Sequence, residues 1–265
     1  MNYTDQTGRT ITVHHIPERI VSLVPSQTEL LCSLGLSDRL VGVTKFCVHP
    51  ENIRNEKRIV GGTKQLHPET IREQQPDLII ANKEENTKED IEALASDLPV
   101  WVSDVHTVQE ALDMIHALGQ LCGVADAAAE LMQTIAEKRA AMHAISSTPA
   151  RVLYLIWKDP YMSIGGDTFI HSMLTEAGYI NCCASENRYP ELDIPTIRDL
   201  QPELILLPGE PYPFGEKHKE ALQQLAPKAR LMLTDGEMWS WYGSRMATAF
   251  DYLAGHKKRV GGLPA

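Results

Sequence analysis

Eleven residues of this chain occur twice. Thr70-Ile-Arg-Glu-Gln-Gln-Pro-Asp-Leu-Ile-Ile80 returns as Thr196-Ile-Arg-Asp-Leu-Gln-Pro-Glu-Leu-Ile-Leu206, identical at seven positions. Each copy runs to a proline and then into a four-residue apolar run, Leu78 to Ala81 and Leu204 to Leu207. Proline ends a helix, and a short apolar run bounded in this way reads as a buried parallel strand. The copies lie 126 positions apart, too far for a solenoid repeat and suited to two similar lobes. Two like α/β lobes imply a ligand held in the cleft between them.

A length of 265 residues accommodates two domains of ordinary size. The formal net charge of -10 argues against nucleic acid, whose partners need a basic face. No apolar stretch approaches ~20 residues, so no membrane insertion is expected. The first ten residues contain no basic region followed by an apolar one. The expectation is therefore cytoplasmic for a complete chain and periplasmic for a trimmed mature form. Five cysteines, Cys182 and Cys183 adjacent, suit a reducing compartment better than a disulfide framework.

The remaining pattern alternates strand and helix. Thr10 to Val13 reads as an edge strand, and Arg19 to Val24 as a buried one. A helix follows from Pro25 to Leu34, with proline and a small polar cap in its first turn. Leu40 to Val43 and Val100 to Val102 read as further strands. From Val108 the period is helical, with Gly123 separating a first helix from a second spanning Ala125 to Ile145. Arg151 to Ile156 then restarts the strand programme, and Gly165 to Thr168 opens another helix. The predicted architecture is α/β: two similar lobes with central parallel sheets flanked by helices, bridged by one long backbone helix. Its segments are 1–122, 123–148 and 149–265.

Together, Asp5 to Arg9, the run Arg19 to Leu31, Gly42-Val-Thr44, the Pro-Asp-Leu-Ile and Pro-Glu-Leu-Ile segments and the long helix before Arg151 resemble the helical-backbone class of ABC-transporter substrate-binding proteins. Within that class the Ser22 to Leu31 stretch and the His49-Pro50 step look most like the cobalamin-binding branch. The resemblance implies capture of cobalamin or a related metal complex as ligand, with no catalytic cofactor, no catalysed reaction and an ABC permease as partner. His49 stands where that branch has an aromatic residue, and Thr63 near its loop tryptophan. Asp159-Pro160-Tyr161 matches the second lobe's cleft loop, Met238-Trp239 a Trp-Phe pair, and Arg245 a family arginine. Of the two permease-docking acids the resemblance implies, Glu69 fits the first and Pro195 falls at the second. The same fold serves siderophore, haem and metal-complex receptors, the alternative reading. A cytoplasmic carrier or sensor without a permease is a third.

Candidate ligand-binding residues follow predicted strands, where open α/β sheets bind ligands. On the first lobe these are Pro25, Ser26 and Gln27 at a helix N-terminus, where free amides favour carbonyl or anionic groups, and Phe46 and His49. His49 lines the cleft, ligates a metal or fills a structural turn, since histidine does all three. On the second lobe they are Trp157, Tyr161, Tyr212, Trp239, Trp241, Tyr242 and Arg245. Flat aromatics offer a planar ligand much contact area at low entropic cost. Tyr212 and Phe214 serve as cleft wall or lobe packing. No nucleophile elbow, Walker loop, dinucleotide fingerprint or zincin motif is present, and no residue is assigned a catalytic or metal-site role. The chain reads as a monomeric binder.

Overall fold

The computed structural model describes residues 1–261. Its contacts divide the chain into two compact units. One holds Met1–Val105, Gln109–Thr134 and Tyr242–Arg245; the other holds His106–Val108, Ile135–Trp241 and the chain from Met246. The unbroken helix Ala125–His143 gives residues to Thr134 to the first and the rest to the second.

The first unit carries a five-stranded parallel sheet in the order Arg58–Ile59, Leu40–Val43, Ile20–Ser22, Leu78–Asn82, Val100–Ser103. The second has four parallel strands, Ile180–Asn181, Arg151–Tyr154, Leu204–Pro208 and Arg230–Thr234. Within each sheet the strand of the repeat lies between the strand that opens the unit and the strand that closes the sheet. Leu78, Ile79 and Ile80, like Leu204, Ile205 and Leu206, are fully buried. Strands covered on both faces need such unbroken apolar runs. Truncating one of these side chains to alanine costs about 2–5 kcal/mol.

The repeat outlasts its apolar core for a reason visible at its proline. Gln75 and Gln201, each preceding the proline, take positive φ values of 47° and 45°, turning the chain sharply out of the helices Pro68–Glu73 and Ile194–Asp199. The next residue's acid then anchors the opening strand of its unit. Asp77 Oδ1 accepts the Arg19 N–H at 2.9 Å, and Glu203 Oε2 accepts the Arg151 N–H at 2.7 Å. Each arginine returns the contact: Arg19 Nε donates to the Gln74 carbonyl at 3.0 Å, and Arg151 Nη2 to the Leu200 carbonyl at 2.8 Å. The two segments therefore repeat a clasp between neighbouring strands.

An antiparallel ribbon, Asn2–Thr4 with Thr10–Thr12, belongs to the first unit. All five cysteines are free thiols.

Candidate functional site

Because every strand within a sheet runs the same way, the loops that leave the strands gather on one edge. In the first unit that edge has a buried polar floor. Ser22 and Ser103 end their strands fully buried and Asn82 nearly so. Asn82 Nδ2 donates to Ser103 Oγ at 3.0 Å, and Asn82 Oδ1 accepts the N–H groups of Glu84 and Glu85 at 2.9 Å each. Thr28 Oγ1 lies 2.8 Å from Ser22 Oγ and 3.1 Å from Cys47 Sγ. Burial on this scale requires such pairing, since an orphaned polar group costs about 1–3 kcal/mol.

Above this floor the candidates differ in access. Phe46 is 51% exposed, with Lys45 Nζ 5.1 Å from its ring centre, and His49 is half-buried. Pro25 opens the helix Pro25–Ser33 and keeps partial exposure. Ser26 and Gln27 are buried, and the Gln27 amide donates to the Ser103 hydroxyl, so the floor holds them. The helix begins after Val24 without a side-chain cap, contrary to the polar cap read from sequence. Burial raises the Cys47 thiol's pKa, which keeps it protonated and a poor companion ligand to His49. Among the described residues no group of three possible ligands is placed to hold a metal ion.

Tyr242 and Arg245 pack into this first unit, not the second as the sequence reading had it. Tyr242 is 8% exposed, and desolvation drives its phenol far above the ordinary value, with Glu85 adding to the rise. Arg245 turns its guanidinium onto Glu29, through bonds of 2.9 and 2.6 Å. Both side chains are largely shielded within the unit, Tyr242 at 8% and the Arg245 side chain at 11% exposure.

The corresponding edge of the second unit is aromatic. Trp157 is 41% exposed and meets Tyr212 edge-on, ring centres 5.4 Å apart at 71°. Tyr161 and Tyr212, both half-buried, pack on the core formed by Leu153, Ile205 and Phe214. Burial raises the Tyr161 phenol's pKa. Phe214 itself is core, 4.7 Å from Tyr212 between ring centres, which settles its role as packing while Tyr212 faces both ways. Trp241 is half-buried.

Trp239 corrects the sequence reading. It is completely buried, its indole N–H donating to Thr234 Oγ1 at 2.7 Å. Tyr154 and His256 meet its ring edge-on at 6.0 and 5.5 Å. An indole with no exposed surface and a satisfied donor is a core residue.

Glu69 lies on the helix Pro68–Glu73, its side chain 86% exposed and 3.2 Å from Arg72 Nη1. At the matching place of the other repeat, Pro195 sits in the first turn of Ile194–Asp199, capped by Asp193. The polar floor of Ser22, Thr28, Asn82, Asn86 and Ser103 was missed in sequence. The signal was there: Asn82 and Ser103 each end an otherwise apolar run, and Ser22 interrupts the run from Ile20 to Val24.

Residues 20–234 match the model of the periplasmic binding protein family. The chain belongs to that family. Among its relatives are the vitamin B12-binding protein of Vibrio cholerae, 28% identical over 194 residues covering 71% of this chain and 69% of that one. Another is the uncharacterized ABC transporter substrate-binding lipoprotein YvrC of Bacillus subtilis, 25% identical over 76% of this chain and 67% of that one. Similar solved structures include the periplasmic vitamin B12-binding protein BtuF of Vibrio cholerae, with TM-score 0.79, 23% identity and coverage of 94% and 99% of the two chains. The periplasmic heme-binding protein RhuT of Roseiflexus, in apo form, gives TM-score 0.77 at 22% identity, covering 92% and 99%. At these identities the structural likeness concerns the fold. No helix among the described residues is long and apolar enough to cross a membrane.

Proposed function

We propose that this chain is the substrate-binding protein of an ABC importer and that its ligand is a corrinoid, a planar metal macrocycle of the vitamin B12 class. It captures the ligand and catalyses nothing. The observation that carries the reading is Trp157, a large aromatic left 41% exposed at the ligand-binding edge of its sheet and braced edge-on by Tyr212. An exposed indole held in place contributes contact area at small entropic cost. Phe46 and His49 offer an aromatic and an imidazole on the corresponding edge of the other unit. The vitamin B12-binding relatives support the ligand class, and the substrate-binding lipoprotein supports the partnership with a permease. Glu69 is the docking residue of this reading. Equilibrium dialysis of the protein against cyanocobalamin tests it. Saturable retention near one equivalent is expected; retention of haemin with none of cyanocobalamin contradicts the corrinoid reading and favours a haem receptor.

A further inference from the structure

The two parallel sheets have four edges, and three of them are closed. Arg58–Ile59 and Ile180–Asn181 are two residues long, too short to template another strand. Val100–Ser103 is covered by the turn of the antiparallel ribbon. Asp5 Oδ2 accepts the Val102 N–H at 3.2 Å, the Gln6 N–H donates to the Val102 carbonyl at 3.2 Å, and Gln6 Oε1 accepts the Asp104 N–H at 3.1 Å. The fourth edge is Arg230–Thr234, which holds in the second unit the place of Val100–Ser103 in the first. It is five residues long and contains no proline, and its register with Leu204–Pro208 runs without a bulge.

Which groups of this strand point outward follows from the ladder. The Arg230 N–H donates to the Glu203 carbonyl at 2.9 Å, and the Thr234 carbonyl accepts the Gly209 N–H at 3.3 Å. Arg230, Met232 and Thr234 therefore bond into the sheet, and the N–H and C=O groups of Leu231 and Leu233 point away from it. Among the described residues nothing bonds to those outward groups. Leu233 is 38% exposed, and Leu231 and Met232 are half-buried. Folded proteins blunt such edges with short strands, covering segments, prolines or bulges. Arg230–Thr234 has none of these, and its one charge stands at its first position.

We infer that this edge pairs with the same edge of a second copy of the chain, antiparallel about a twofold axis at Met232, in place of the monomer expected from sequence. The strand is complementary to itself in that register. Leu231 of each copy stands opposite Leu233 of the other, and each such pair exchanges both of its N–H and C=O bonds, four bonds in all. Charge selects the same direction. Lys228 and Arg230 stand at the start of the strand and exposed Asp235 just past its end. Antiparallel pairing sets the basic end beside the acidic end, twice, whereas parallel pairing sets like beside like. Two four-stranded sheets then form one of eight. Because the two sets of strands run in opposite directions, their ligand-binding edges lie at opposite ends of the joint sheet, and the pairing covers neither.

Sedimentation equilibrium of the whole chain, from micromolar to near-millimolar concentration, tests the pairing. A five-residue edge makes a small interface, so the association should be weak and reversible. It should stop at the dimer, because the twofold contact uses the edge up. Leu233→Pro removes one outward N–H from each copy and spares the ladder to Leu204–Pro208. Two of the four bonds are lost, and the dissociation constant should rise roughly tenfold or more. Should that variant not fold, exchange of charge decides. Arg230→Glu and Asp235→Lys should each associate less than the wild type, and their equimolar mixture should recover, since each copy then supplies the charge the other has exchanged. A wild type that stays monomeric across the range overturns the inference. So does association that grows past the dimer, or that survives the proline and charge variants alike, or a mixture no more associated than its components.

Discussion

Arg245 holds Glu29 in a two-pronged grip, Nε to Oε2 at 2.9 Å and Nη2 to Oε1 at 2.6 Å, although 216 positions separate them. Both side chains are largely shielded, 11% and 22% exposed. The grip secures a segment, Tyr242–Arg245, that belongs to the first unit while the residues on either side belong to the second. Gly243, at φ +100°, lets that segment lie against Leu30, whose Cβ would be 3.3 Å from a Cβ placed there. A planar guanidinium matches a carboxylate prong for prong, and an ammonium does not.

Arg245→Lys should therefore lose most of what Arg245→Ala loses. Partial exposure keeps the cost below that of a fully buried pair, so about 1–3 kcal/mol is expected for the alanine variant. Urea unfolding midpoints measure it, and a lysine variant as stable as the wild type contradicts the two-pronged account.

Trp239 is a stability residue. Its removal leaves a void among Tyr154, Tyr179 and His256 and takes one of two partners from the Thr234 hydroxyl, which keeps the Tyr252 hydroxyl at 2.9 Å, so Trp239→Ala should destabilise by about 3–5 kcal/mol. Trp239→Phe should cost less. The folded fraction of the phenylalanine variant should bind cyanocobalamin as the wild type does, by calorimetry. Reduced affinity with unchanged stability reverses the assignment.

His256 makes the second unit acid-sensitive. It is buried behind Tyr179, whose hydroxyl lies 2.8 Å from its Nδ1. Burial, with Arg259 and Arg230 adding, pushes its pKa down to about 4. The unfolded chain binds a proton near pH 6.5, so the native state resists protonation between those values. Stability from this group is complete above pH 6.5 and is lost as pH falls through 4, up to about 3 kcal/mol in all. His256→Gln should show a flatter fall in urea midpoint over that window. An unchanged slope would mean that His256 is not the source.

Burial also protects the thiols. It lifts Cys122 to about 12 and Cys182 to about 11, and raises Cys47 and Cys183 as well. Thiol reagent at pH 8 should modify the native protein slowly, because the thiolate is the reactive form. Denatured without reductant, the protein should yield five thiols, matching the five free cysteines. Rapid native labelling of Cys122 contradicts its burial.

The sheets were readable in the sequence because buried parallel strands must be apolar throughout and are punctuated by Gln75-Pro76 and Gln201-Pro202. Periodicity likewise located the long helix, which ends at His143 where sequence placed Ile145. The site was less readable, because a strand-end position does not say which way an aromatic turns. Trp157 and Trp239 both follow strands, yet one is 41% exposed and the other fully buried. The difference lies in a hydroxyl at Thr234 and a ring at His256 that only the fold brings to Trp239. Arg245 was equally opaque: nothing near it in sequence reveals Glu29. The repeat suggested two equal halves, but it carried no information on the return of Tyr242–Arg245 to the first.

Calorimetry of cyanocobalamin binding to the wild type and to Trp157→Ala tests the central claim most directly. The wild type should bind, and loss of the indole should weaken binding by about 1–3 kcal/mol, the usual range for a buried aromatic contact, with the urea midpoint little changed because Trp157 is partly exposed. No binding by the wild type, or equal affinity in the two proteins, contradicts the account.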